Sequence, residues 1–264
     1  MIFRYPGGKQ RLLPVIMAAL DPLLRDAPTF TDVFVGGGSV LIAVAERYPS
    51  KRLIANDLDL RMAAFWQLVA TGTDSDAAAF CKLLRIPVTL EWFNAFRNMT
   101  LDTSQTMRAY HAVFFNRTTF SGIATAGPIG GQAQASEWKV DCRYNADRLV
   151  ADFKNLRELF QGRLTVTCAD CLKVVSTTSD AMYLDPPYYK QGKNLYPVSM
   201  TPAEHSALAK ALEDRPRWVM SYDNCPEILD SYSFANIIPV DVRYSINGTD
   251  RESWIAAKEL LITP

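Results

Sequence analysis

The segment Met182-Tyr183-Leu184-Asp185-Pro186-Pro187-Tyr188-Tyr189 holds residue types able to act on an exocyclic amine. An apolar run delivers an acid, and two prolines follow, which fix φ and donate no N–H. A rigid loop with free carbonyls and an aromatic ring at a set distance results. Asp185 can accept one N–H bond from an amine and the Pro186 carbonyl the other, while Tyr188 stacks on the ring that bears it. An amine conjugated to a base is a poor nucleophile. Two acceptors in fixed geometry favour its pyramidal form and direct the lone pair at an electrophile. The plain alternative is a Pro-rich turn with a surface tyrosine.

A second group lies upstream. Asp32-Val33-Phe34-Val35-Gly36-Gly37-Gly38-Ser39 reads as a strand entering a glycine turn and then a helix. Glycines there let the backbone approach a ligand and adopt positive φ. The next apolar run ends in Asn56-Asp57, and an acid at that place can hold both hydroxyls of a ribose. Together these predict an adenosine-bearing cofactor at the carboxyl edge of a sheet. The dinucleotide spacing G-x-G-x-x-G is absent, since the third position is Leu41, so nothing marks a pyrophosphate cradle. An ordinary βα turn with a solvated Asp57 is the competing reading.

These groups need a scaffold. Helical periodicity covers 11–25, Ser39 to Tyr48 with Ser39 as N-cap, and Asp59 to Ala70; strands are read at Phe30 to Val35 and Leu53 to Asn56. From 71 to 117 the periodicity is helical only, 122–135 reads as loop, and another helix is expected over 145–160. Alternation returns with strands at Leu164 to Thr167, Ala181 to Leu184, Trp218 to Ser221, Ile237 to Val242 and Leu260 to Thr263. Thr201-Pro202-Ala203-Glu204 carries a helix start: cap, proline and returning acid. The βαβα order predicts an α/β, Rossmann-like, mostly parallel sheet with helices on both faces. A mainly helical insert, 71–154, divides it into 1–70 and 155–264.

Composition narrows the classes. The chain has 264 residues, 48% hydrophobic and 11% aromatic, with 28 basic against 28 acidic side chains. It can bury a sizeable core, and a polybasic mode of nucleic-acid binding is excluded, though a local basic groove is not. No apolar run reaches the roughly 18–20 residues of a membrane helix, and the N-terminus lacks signal-peptide character, so a cytoplasmic protein is expected. Five cysteines in a chain this long are read as reduced thiols. The lone C-x-x-C at Cys168 and Cys171 lacks further zinc ligands nearby, so no metal is expected. His111, among aromatics, reads as helix packing, and Ser221 has no catalytic company.

The glycine turn, the acid after the next strand and Asp-Pro-Pro-Tyr together resemble the Dam-type (class alpha) DNA adenine-N6 methyltransferases, which use S-adenosylmethionine. Tyr5-Pro6-Gly7-Gly8-Lys9 looks like that family's N-terminal motif, and the glycine turn is similar to its Asp/Glu-Pro-Phe-x-Gly-x-Gly-Ser motif. Phe115-Asn116-Arg117 with Ser121-Gly122-Ile123 resembles part of its recognition insert. Ser221-Tyr222-Asp223-Asn224 and Tyr244-Ser245-Ile246-Asn247 look like its later motifs.

The resemblance implies that Tyr5, Lys9 and Asp57 bind the cofactor, with Asp32, Phe34, Gly36, Gly38 and Ser39 shaping the pocket. It also implies Asp170 near the cofactor's adenine, and Asp185 at its methionine end as well as at the target amine. Asp185, Pro186, Pro187 and Tyr188 become the catalytic loop. The insert becomes a target-recognition domain on double-stranded DNA, with Asn116, Arg117, Lys139 and Arg143 as contacts. The target adenine would flip out of the duplex for direct methyl transfer. Val33 stands where the family usually has proline, which predicts a softer turn and weaker cofactor binding.

The insert carries nine basic and eight acidic residues, so charge alone does not announce DNA. RNA adenine or a glutamine side chain as substrate, a nicotinamide oxidoreductase and a non-catalytic DNA-binding relative are the competing readings. A companion restriction endonuclease is compatible with the resemblance. A monomer encoded by a bacterium or phage is the default expectation.

Overall fold

The computed structural model describes residues 2–3, 9–100, 104–190, 192, 198–245 and 254–264. Among them a seven-stranded sheet has the order β3-β2-β1-β4-β5-β7-β6. The strands are β1 (Thr29–Asp32), β2 (Arg52–Asn56), β3 (Leu164–Thr167), β4 (Ala181–Leu184), β5 (Trp218–Asp223), β6 (Asn236–Ser245) and β7 (Trp254–Thr263). β3, β2, β1, β4 and β5 run parallel, whereas β7 is antiparallel to both β5 and β6. The chain winds outward from β1 in one direction and from β4 in the other, so the β1/β4 boundary is the switch point where α/β sheets bind ligands.

Side chains alternate across the sheet. Ala181, Tyr183, Val219 and Leu261 join one apolar cluster, while Met182, Leu184, Trp218, Met220, Leu260 and Ile262 join the other. A sheet buried on both faces needs apolar residues at both parities. The first face takes α1 (Leu13–Asp26), α2 (Ser39–Arg47) and α3 (Leu60–Thr71). The second takes α8 (Cys171–Thr177) and the helices Pro202–Leu212 and Pro226–Ser231. Thr201 and Glu204 form the expected capping box.

Between β2 and β3 lie α3, α4 (Asp74–Leu84), α5 (Leu90–Arg97), α6 (Gln105–Thr118) and α7 (Ala146–Phe160). Phe80, Phe93, Phe96, Phe114, Phe115 and Phe153 share one buried cluster with Phe30 and Phe65. The helical segment is therefore welded to the sheet through a common core. The boundary read at 154 cuts through α7, which packs on α3 and leads directly into β3. Two other expectations shift. β1 ends at Asp32, not Val35, because Val33 and Phe34 turn out of the strand. The N-cap of α2 is Gly38 in the left-handed region at φ 72°, and Ser39 is the first helical residue. Among the described residues no helix is long and apolar enough to cross a membrane.

Candidate active site

All five parallel strands carry an aspartate at or just past their carboxyl ends. Asp32 closes β1, Asp57 follows β2, Asp170 lies three residues beyond β3, Asp185 follows β4 and Asp223 closes β5. One sheet edge thus gathers most of the acids singled out from the sequence.

On the β1–β2–β3 side, backbone groups do the fastening. The Gly36 amide donates to Asp57 Oδ2 at 3.0 Å and the Asp59 amide to Asp57 Oδ1 at 2.9 Å, which fixes the carboxylate plane. Burial raises the Asp57 pKa to about 7 against the opposing pull of those amides. Gly36 and Gly38 both have positive φ, 43° and 72°. Trp66 Nε1 donates to the Gly36 carbonyl at 2.9 Å, and its ring lies where a Cβ on Gly38 would meet it at 2.2 Å. Glycine is therefore required at 38 on two separate grounds.

Val33, which stands where the resembled motif usually has proline, makes a bond of its own. Its N–H donates to the Tyr183 carbonyl at 3.0 Å, a bond proline cannot make. The turn gains a rung to β4 where ring stiffness is missing.

Asn56, beside Asp57, is a residue the sequence reading passed over. It is buried, its Nδ2 donates to the carbonyls of Val33 (3.1 Å) and Ala169 (3.0 Å), and its Oδ1 accepts from Thr167 Oγ1 (2.7 Å) and the Ala169 amide (3.0 Å). One amide staples the ends of three strands and has no capacity left for a ligand. A cleft next to it is lined by Phe34, Asp57, Leu58, Asp170, Leu172 and Pro187, among others. Asp170 caps α8 through the Leu172 amide at 2.8 Å.

On the β4–β5–β7 side, side-chain charge does the work. Buried Lys9 Nζ lies 3.0 Å from Asp185 Oδ1, 3.6 Å from Glu259 Oε2 and 3.4 Å from the Tyr188 hydroxyl. Ser221 Oγ donates to Asp185 Oδ1 at 3.0 Å and sits 2.6 Å from Tyr183 Oη. Burial pushes the Asp185 pKa up, Lys9 pulls it back, and Glu259 adds to the rise. Asp32 is buried nearby, and burial with the charges of Asp185 and Asp57 holds its pKa well above the usual range. Its Oδ1 has no hydrogen-bond partner among the described residues. The Pro-Pro loop is pinned at its far end, where the Tyr189 amide donates to Asp223 Oδ1 at 3.0 Å. Ser221 and Asp223, read as part of a later motif, thus grip the Asp185 loop from the adjacent strand.

The insert residues divide. Asn116 is buried and donates to the Gly122 carbonyl at 3.4 Å. Arg117 Nε donates to the Ile2 carbonyl at 2.9 Å. These bonds brace the loop after α6 and the N-terminal segment, one of the two roles open to Asn116 and Arg117, base contact being the other. Lys139 and Arg143 are exposed. Lys139 Nζ donates to the Gln134 carbonyl, and Arg143 lies 5.4 Å over the ring of Trp138, itself 56% exposed.

His111 packs against Phe96 and Phe115, and burial lowers its pKa to about 4. Cys168 and Cys171 are free thiols, with burial raising the latter's pKa to about 12. No group of three candidate metal ligands occurs among the described residues. Tyr5 with Pro6 to Gly8, and Ile246 with Asn247, fall outside the described residues.

A model of the D12 class N6 adenine-specific DNA methyltransferase family matches residues 5–246. The Type II methyltransferase M.MjaIII of Methanocaldococcus jannaschii is 24% identical over 206 residues, 70% of this chain and 68% of that protein. A solved structure of precorrin-6y C5,15-methyltransferase from Geobacter metallireducens aligns over 98% of this chain and 92% of its own, at 10% identity and a TM-score of 0.43.

Proposed function

We propose a reaction scheme from one premise: the chain belongs to the D12 class N6 adenine-specific DNA methyltransferase family. It is an enzyme that methylates N6 of adenine in DNA. The residue roles below are our reading of how it does so.

The donor we assign is S-adenosylmethionine. The donor set fits it. The group carries sulfonium and ammonium charges, and this edge offers Asp32, Asp57, Asp170 and Asp185, with Asp32 Oδ1 buried and lacking a donor among the described residues. When bound, the cofactor supplies an electrophilic methyl group. Asp57, held in plane by the Gly36 and Asp59 amides, accepts from the ribose hydroxyls. Phe34 and the turn through Gly36, Gly38 and Ser39 shape the pocket, Asp170 borders the adenine side, and Lys9, beside Asp185, flanks the methionine side.

Asp185 Oδ and the Pro186 carbonyl accept the two hydrogens of N6 and draw its lone pair out of conjugation. Pro187 keeps the loop rigid, and Tyr188 stacks on the target ring. Lys9 at 3.0 Å opposes the protonation that burial of Asp185 favours. The base must leave the duplex to reach this edge, at a cost of a few kcal/mol. Residues 71–154 form the recognition insert in this reading. Exposed Lys139 and Arg143 meet phosphates, which needs no basic surplus over the whole insert. The protein works as a monomer without metal.

The observation that carries the scheme is the Asp185-Pro186-Pro187-Tyr188 loop at the carboxyl end of β4, beside the switch point, with Lys9 on its acid. The test is incubation with tritiated S-adenosylmethionine and unmethylated duplex DNA, followed by digestion to nucleosides. Label in N6-methyldeoxyadenosine is the expected result. Label absent from DNA but present in RNA or protein overturns it.

A further inference from the structure

Glu259 belongs to none of the motifs read from the sequence, yet it stands at the centre of the site. It lies on β7 and is 3% exposed. The Tyr188 hydroxyl donates to Glu259 Oε1, and Oε2 faces Lys9 Nζ at 3.6 Å. Its strand neighbours Leu260, Leu261 and Ile262 are all apolar core residues. A buried carboxylate among them costs stability unless its partners compensate. A leucine here would extend the core instead. Among its partners are the Tyr188 hydroxyl of the candidate catalytic loop and the Lys9 cation that pairs with Asp185.

We propose that Glu259 is a positioning residue for methyl transfer, fixing the tilt of the Tyr188 ring by accepting its phenolic hydrogen. This rests on the reading of Tyr188 as the stacking surface for the target adenine. A tyrosine ring has two rotatable bonds, and its phenolic oxygen lies on the axis of the second, so a bond to that oxygen fixes the swing about the first and, through the in-plane preference of the O–H, biases the second. The bond to Oε1 anchors the far end of the ring. Lys9 lies 5.1 Å from the ring centroid and shares the carboxylate's other oxygen, so ring, cation and acid move together. Misplacement of a reacting group by about 1 Å can cost about a hundredfold in rate.

The experiment measures kcat and KM on unmethylated plasmid DNA with tritiated S-adenosylmethionine, and cofactor Kd by calorimetry, for Glu259→Leu, Glu259→Gln, Tyr188→Phe and the Leu/Phe pair. Glu259→Leu should lower kcat about ten- to a hundredfold, with cofactor Kd within about twofold. Glu259→Gln keeps an acceptor for the phenol and should recover most of the rate. Tyr188→Phe should match the leucine variant, and the double variant should be no worse than either single one, since both cut the same bond.

Four results overturn the proposal: an unchanged kcat in Glu259→Leu, a glutamine variant as slow as the leucine, additive losses in the pair, or a loss confined to cofactor Kd. If the leucine variant does not fold, Tyr188→Phe alone decides, with a tenfold loss supporting the proposal and an unchanged rate overturning it. Tyr188→Ala separates the premises. Full activity there removes the stacking reading and this proposal with it. Lost activity with an unaffected Glu259→Leu removes only the role of Glu259.

Discussion

On the β1–β2–β3 side of the sheet edge, the groups that would hold a cofactor are fastened by neutral bonds: two backbone amides on Asp57, four hydrogen bonds on Asn56, an indole on the Gly36 carbonyl. On the β4–β5–β7 side, Lys9 sits between two carboxylates and a phenol bridges back to one of them. The first half is a mould and the second a charge balance. A mould fails through shape, with stability lost before chemistry. A charge balance fails through chemistry, with the fold intact.

Asp185→Ala should separate the halves most sharply. Removing the acceptor aimed at N6 should lower kcat by about a thousandfold or more, roughly 4 kcal/mol, in steady-state methylation. The melting temperature should barely move, because Lys9 keeps Glu259. A large loss of stability in this variant breaks the comparison.

Gly38→Ala is the counterpart on the mould. A Cβ 2.2 Å from the Trp66 ring, at φ 72°, should cost roughly 3 kcal/mol in urea unfolding. Asn56→Ala comes next. It strands the Val33 and Ala169 carbonyls and the Thr167 hydroxyl, which should cost about 2 kcal/mol and weaken cofactor binding without changing kcat at saturation.

The smallest effect, read between pH 6 and 8, is one of pH. Asp57 titrates near 7 in the folded protein and near 4 when unfolded, so the folded state binds the extra proton between those values. Stability should be greatest at the acid end of that window and decline as pH rises through about 7. Asp32 and Asp185 are shifted in the same direction, so Asp57→Asn should reduce the decline and not remove it. Cofactor affinity should move oppositely, rising as Asp57 ionises, and calorimetry at pH 6 and 8 checks both.

What could be read from the sequence follows from how local each feature is. The Asp185 loop and the glycine turn are contiguous, and proline and glycine restrict the backbone whatever surrounds them. Glu259 lies 71 residues from the tyrosine it binds, and one acid near the C-terminus carries no sign of that meeting. Asn56 was in view beside Asp57, but its role depends on two carbonyls supplied by the turns that follow two other strands. β1 was read three residues too long because Val33 and Val35 keep the apolar character of a strand while serving a turn. Asn116 and Arg117 can pair with bases or brace the insert, and composition does not say which way a helix faces; the structure shows each making a bracing bond.

The contact between Gly38 and Trp66 ties two positions into one heritable unit. A lineage that gains any side chain at 38 must also shrink the residue at 66, and that second change removes the indole that holds the Gly36 carbonyl. Neither step is neutral alone, and the pair together leaves the left-handed backbone at 38 still strained. Drift at this turn is thus blocked from within the molecule, before any selection on methylation acts.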